Sequence, residues 1–237
     1  MKLLLLFFSI IMVLTLCTTS QTLLSCTKEK TVYDTVIIDH YDTTILYKHD
    51  TIQRTLESCC NNYEATVDSY YPTGNSAGLQ LTASAWTHDG DPENTRIYTR
   101  FDYSDLPLTS VIISARLSLY AVPVPIAGNF TDAHSGTANA CYIQRITSPW
   151  ETAGINWNNQ PATTSENQAE IPQSISSTQD DTNIDITNLV KDMLANGNYG
   201  FSIRLQNENI YNIRQYCSSF YADAAKRPKL IVQYKKE

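Results

Sequence analysis

The chain has 237 residues, a net charge of -7 and a pI of about 5.1. Hydrophobic residues make up 42% and charged residues 17%, too apolar and too weakly charged for a disordered polymer. The acidic balance argues against a general phosphate-binding surface, so no nucleic-acid partner is expected, and leaves room only for a local basic groove. Fifteen Tyr, many Asn, Ser and Thr, and only 8 Gly point to an exported all-β protein rather than an α/β metabolic enzyme.

Lys2 precedes an apolar run over residues 3–16, too short to cross a bilayer comfortably as a mature helix and of the kind that serves as a secretory signal. Leu23-Leu24-Ser25-Cys26 resembles the lipobox of bacterial lipoproteins, with a branched apolar residue three positions before the Cys and a small one immediately before it. Leu14-Thr15-Leu16-Cys17 fits less well, because bulky Leu16 stands at the scissile position. Residues 1–25 are therefore expected to be a signal peptide and Cys26 the lipidated amino terminus, whose acyl chains give a stable anchor. The expected location is the cell envelope, as a surface-exposed lipoprotein of the outer membrane.

Residues 26–62 read as the lipidated Cys and a spacer. Tyr33-Asp34-Thr35, Tyr41-Asp42-Thr43 and His49-Asp50-Thr51 recur at eight-residue spacing in a stretch rich in Thr, Val, Ile and Tyr, without Gly or Pro. That composition favours an extended form over a helix, and its full reach is about 120 Å. His40 and His49 in this arm do not have metal-ligand spacing.

Residues 63–237 read as one β-rich domain. In Arg96-Ile97-Tyr98-Thr99-Arg100-Phe101, Ile97 and Phe101 face one way while Arg96, Tyr98 and Arg100 face the other. Residues 115–120 put Leu117 and Leu119 inward, residues 201–205 put Ser202 and Arg204 outward, and residues 229–234 put Leu230, Val232 and Tyr234 inward. Further strands are expected near 64–70, 78–83 and 141–146. One segment breaks the period: Ile186, Leu189, Val190, Met193 and Leu194 fall at helical spacing, with Asp185 or Thr187 to cap the start and Gly197 to end it. Many short, one-sided strands and one short helix predict an all-β fold, an antiparallel, jelly-roll-like β-sandwich.

A family resemblance runs through these blocks. Arg100-Phe101-Asp102-Tyr103-Ser104-Asp105-Leu106-Pro107, then Ser114-Ala115-Arg116-Leu117-Ser118-Leu119-Tyr120, resemble consecutive strands of the DNRLRE domain family. Ser148-Pro149-Trp150-Glu151 and Ile155-Asn156-Trp157-Asn158-Asn159-Gln160-Pro161 look like its tryptophan signature. Asp185-Ile186-Thr187-Asn188-Leu189-Val190 with Tyr199-Gly200-Phe201, and the closing Arg227-Pro228-Lys229-Leu230, follow in the family's order. The family is classed with carbohydrate-binding modules, some members taking acidic polysaccharides. The resemblance thus implies non-catalytic polysaccharide binding, most readily of an acidic polysaccharide, on a surface that could serve partner polysaccharide-degrading enzymes. A structural or adhesive envelope protein that binds a protein partner is the alternative. Residues 122–139, rich in Pro, Gly and Ala, have no clear counterpart in the family, so a groove is expected to be reshaped or covered here.

Neutral sugars stack on exposed aromatics, whereas uronic or sulfated sugars need directed cationic donors. Arg96, Tyr98 and Arg100 supply both on one strand face, with Arg204 expected on a neighbouring strand. Trp86, in a loop-like stretch, is a candidate sugar platform, and Tyr211, Arg214 and Tyr216 are expected in a polar rim loop. Trp150 and Trp157 are expected as core or loop anchors. Asp89, Asp91 and Glu93 cluster hard oxygen ligands in a turn that either pins a structural Ca²⁺ or is simply solvated. No catalytic motif stands in a proper context, so no catalytic residue is assigned. Cys59, Cys60, Cys141 and Cys217 leave one disulfide or more, Cys141–Cys217 among the pairings, open against buried free thiols.

Overall fold

Alternating polar and apolar residues become strands along most of the computed structural model, which describes residues 27–32 (backbone only), 51–57, 63–107, 109–126 and 130–236. The expected signal peptide, Cys26, His40, His49, Cys59 and Cys60 lie outside the described residues. In chain order the strands are β1 (Thr27–Val32), β2 (Thr51–Glu57), β3 (Glu64–Asp68), β4 (Asn75–Ser76), β5 (Gln80–His88), β6 (Asp91–Thr99) and β7 (Val111–Leu119). There follow β8 (His134–Ser135), β9 (Cys141–Ile146), β10 (Thr163–Ile171), β11 (Asp181–Asp185), β12 (Phe201–Leu205), β13 (Asn212–Cys217) and β14 (Lys229–Lys235). An α-helix, α1 (Thr187–Asn196), the single one among the described residues, joins β11 to β12.

The strands form two antiparallel sheets, as the period-two pattern predicts. The smaller runs β1-β2-β14-β7-β11; the larger runs β10-β9-β12-β6-β5-β13-β8, with β3 on β6 and β4 on β3, and curls into a half-barrel. Between them Leu117, Leu119, Leu230, Val232 and Tyr234 from the small sheet meet Leu81, Ile97, Phe101, Ile143, Phe201 and Ile203 from the large one, all at most 1% exposed. Removing this apolar surface from water drives the two layers together. α1 closes one end of the core with Leu189, Val190 and Met193. Its start is held by Asp185, whose Oδ1 accepts from the backbone N–H and the hydroxyl of Thr187 at 3.0 and 2.6 Å. Gly197 ends it at φ +100°, a conformation open to glycine.

Three expectations change. The sheet takes in β2, which the composition assigns to the spacer: Thr51–Glu57 pair with Lys229–Lys235 along the whole of β14, and Ile52 and Leu56 enter the core. Extended conformation is retained there, but β14 would otherwise be an unpaired edge. Residues 212–216 are not a rim loop. They form β13, which pairs with β5 from Asn212↔Ala85 to Cys217↔Gln80. Arg214 and Tyr216 are consequently fully buried; Arg214 forms an ion pair with Asp181 of β11, and the Tyr216 hydroxyl donates to the same carboxylate at 2.6 Å. The polar letters of this strand are satisfied inside the sandwich instead of by water. Finally, Cys141 and Cys217 are free, buried thiols, so the Cys141–Cys217 bridge is not formed; burial pushes their pKa values up to about 12 and about 11.

Candidate functional site

The large sheet splits along β6. Its first half, from Asp91 to Thr95, pairs with β5, whereas Thr95–Thr99 pairs with β3. Beyond Ser84, β5 therefore turns away from β6 and its backbone loses a ladder partner on that edge. Side-chain hydroxyls replace it: the Thr82 N–H donates to Thr66 Oγ1 at 3.2 Å, and Thr95 Oγ1 donates to the Thr82 carbonyl at 3.0 Å. Thr95 Oγ1 also shares a 2.8 Å hydrogen bond with Ser84 Oγ.

This split opens a groove of about 690 Å³, within the size range of ligand sites. Its floor is polar, from Thr66, Gln80, Thr82, Ser84, Thr95 and Gln215. Gln80, Thr82, Ser84 and Trp86 alternate along β5, while Leu81, Ala83 and Ala85 turn to the core. Gln215 is fully buried, yet neither Nε2 nor Oε1 of its amide has a hydrogen-bond partner. Such a group costs about 1–3 kcal/mol unless something pairs with it.

Aromatic rings wall the groove. Trp86 packs edge-on against Phe130 and Tyr211, with centroids 4.8 and 5.3 Å apart. Trp86 thus stands on a strand rather than in a loop, and it is half-buried, with Tyr211 exposed beside it. Two residues farther along β5, Tyr70 stacks on His88 at 4.1 Å, and the Tyr71 hydroxyl lies 3.3 Å from His88 Nε2. The segment 122–139 contributes Ile126 and Phe130 to the wall and fastens itself by the Ile126 N–H donating to Gln80 Oε1 at 2.7 Å. These two residues add one side to the groove.

The groove is acidic. Asp68, Asp89 and Glu93 line it, and no Lys or Arg does among the described residues. Burial and a hydrogen bond to Asp68 push the Glu93 carboxyl up to about 7. Asp89 and Gly90, with φ +50° and +95°, form the two-residue loop of the β5–β6 hairpin, closed by His88 opposite Asp91. Asp89 lies in this loop and Asp91 opens β6, both exposed. No group of three or more His, Cys, Asp or Glu side chains able to hold a metal ion occurs among the described residues.

The cations picked out by alternation lie on a second face. Arg96, Tyr98 and Arg204 are brought together there, because β12 pairs with β6 and places Ser202 opposite Tyr98. Tyr98, expected outside, is 2% exposed: Ala65, Val67, Ile146 and Ile155 form a second small core over it, packed by Trp150, Trp157 and Tyr199. Burial pushes its pKa up to about 12. Arg96 is held by both carboxylate oxygens of Glu208, at 2.7 and 2.8 Å, and lies over Trp157. Arg204 bonds Gln144 and lies over Tyr142, without an ion pair among the described residues. Arg100 sits 3.8 Å over the Tyr63 ring rather than on Asp102, which caps its own turn through the Ser104 N–H. Arg214, inside the sandwich, reaches neither face.

Sequence reasoning missed Thr66, Gln80, Thr82, Ser84, Gln215, Tyr71 and Phe130. The alternation Gln80-Leu81-Thr82-Ala83-Ser84-Ala85-Trp86 carried the signal for three of them, Gln80, Thr82 and Ser84, on the same face as Trp86. Nothing local marks the others, since they converge only when the sheet curls.

Compared with known families, residues 61–234 match the family model described as Carbohydrate-binding module family 96. No curated protein matches the chain.

Proposed function

Since the chain belongs to carbohydrate-binding module family 96, we propose that the split-sheet groove is where it holds a polysaccharide, without cleaving it, on the outside of a bacterial cell. Carbohydrate binding and a non-catalytic module come with the family. The observation that carries the choice of site is the fully buried, unpartnered Gln215 amide in a groove with a hydroxyl floor and an aromatic wall. Sugars present both a hydroxyl rim and apolar ring faces, and this lining offers the complement of each.

Surface display rests on the lipobox ending at Cys26 and on the extended arm behind it. An anchored module of this kind would keep polysaccharide near degrading enzymes in the same envelope. A second reading, an acidic polysaccharide lying across the other face, is favoured by Arg204, which has no carboxylate partner among the described residues and sits beside Tyr142. Affinity gel electrophoresis of the full chain through neutral and uronic polysaccharides tests both. Retardation lost in Trp86→Ala supports the groove, and retardation lost only in Arg204→Ala supports the second face. Free migration in every gel removes both and leaves a protein-binding envelope role.

A further inference from the structure

The groove has two unlike ends, and the strand register sets one feature of the acidic end beside the platform. Trp86 is directly opposite Glu93 in the β5–β6 ladder, and Asp68 is directly opposite Thr95 in the β3–β6 ladder. Opposed side chains in such ladders lie about 5 Å apart at Cβ. A pyranose stacked on Trp86 therefore has a ring substituent within reach of the Glu93 and Asp68 carboxyls. Asp89 in the hairpin loop and Asp91 at the start of β6 add negative charge, and the His88 ring lies 3.9 Å from both Asp89 and Glu93.

A second observation points to a ligand in this groove. The Gln215 amide, opposite Thr82 and four residues along β5 from Trp86, lines the same groove, is fully buried and has nothing to bond. A substituent carrying a carboxylate would be repelled at the acidic end, and a neutral hydroxyl would leave its charge uncompensated. An ammonium group supplies both charge and donors, and it also interacts favourably with an indole face.

We infer that the Asp68–Glu93 end of the groove selects a sugar bearing a protonated amine, so that the chain prefers a polysaccharide of free amino sugars to its acetylated, neutral or uronic counterparts. This rests on the groove being the polysaccharide site.

Isothermal titration of the full chain with a glucosamine oligomer and with the same oligomer N-acetylated, near pH 7, where the amine is still largely charged and Glu93 is not fully protonated, tests it. The amine form is expected to bind about tenfold tighter, with the margin shrinking as salt is added. In Asp68→Asn/Glu93→Gln, which keeps shape and hydrogen-bonding capacity, the two oligomers are expected to bind alike. Glu93→Gln alone gives the same readout, reduced, if the double variant folds poorly. Equal affinities in the wild type, or a preference that survives in the double variant, overturns the inference. Trp86→Ala separates the two levels: if it weakens both oligomers while the wild type binds them equally, the groove stands and the amine preference falls. If it weakens neither, both fall.

Discussion

Arg214 of β13 and Asp181 of β11 form an ion pair that joins the two sheets through the sandwich interior, where both side chains are out of water, 0% and 4% exposed. Tyr216 donates to the same carboxylate and lies hydrogen-bonded to Arg214, and Asn139 contacts the guanidinium at 3.4 Å. Every polar atom that the pair brings inside thus meets a partner, which offsets the cost of taking charge from water. His134 packs on Tyr216 beside this network; burial, then the Arg214 charge, lowers its pKa, so it stays neutral and spares the network a second cation.

Removing one member of that pair leaves the other buried and uncompensated. Asp181→Ala is expected to destabilise the fold by about 3–5 kcal/mol in denaturant unfolding. Sugar affinity of the folded fraction is expected to remain, because the pair faces the core and not the groove. An unfolding midpoint within error of wild type would show that the network is not the tie between the layers.

Gln215→Met tests whether the unpartnered amide is kept for a ligand. Methionine has a similar length and no polar atoms to satisfy, so the ligand-free variant is expected to gain about 1–3 kcal/mol of stability. Polysaccharide affinity is expected to fall at the same time. Stability without loss of affinity would mean that the amide does not serve the bound sugar.

Glu93 predicts a pH effect with a definite sign. Its folded pKa lies near 7, above the ordinary carboxyl value, so between those values the folded state holds more proton than the unfolded one. Its contribution to stability is present below the ordinary value and is lost as pH rises toward and through about 7. Glu93→Gln should therefore raise the melting temperature at pH values above that range and have little effect well below it. A uniform shift at all pH values would contradict the assignment.

Gly200 marks a place where backbone and packing leave no choice. Its φ is +80°, and an added Cβ would lie 2.2 Å from the Thr99 carbonyl oxygen, where β12 leaves the turn to pair with β6. Gly200→Ala is expected to cost more than 1 kcal/mol, the usual scale for strained left-handed positions, measured by chemical unfolding.

The strands with clean alternation, such as residues 229–234, were legible, and so was α1, because a period of 3.6 cannot be confused with a period of two over ten residues. β10 and β13 were not. β10 is an edge strand, exposed along much of its length and spelled in Thr, Ser, Glu and Asn, and β13 hides its Arg and Gln inside. Pattern reading assumes that polar means outside, and it fails where a buried charge has its partner on another sheet. The same assumption put Tyr98 at the surface, because nothing in the more than 50 residues that separate them shows that residues 150–157 fold back over it. Trp86 was legible as a candidate, but the groove floor beside it depends on where β5 parts from β6, a tertiary event that no local window contains.

The central claim is that the split between β5 and β6 is the polysaccharide site, and the most direct test is a titration of wild type and Trp86→Ala with one polysaccharide that retards the wild-type chain. The account predicts a loss of about tenfold or more, on the scale of one aromatic platform, with the unfolding midpoint close to wild type. Wild-type affinity in Trp86→Ala, together with loss in Arg204→Ala, would move the site to the other face and contradict it.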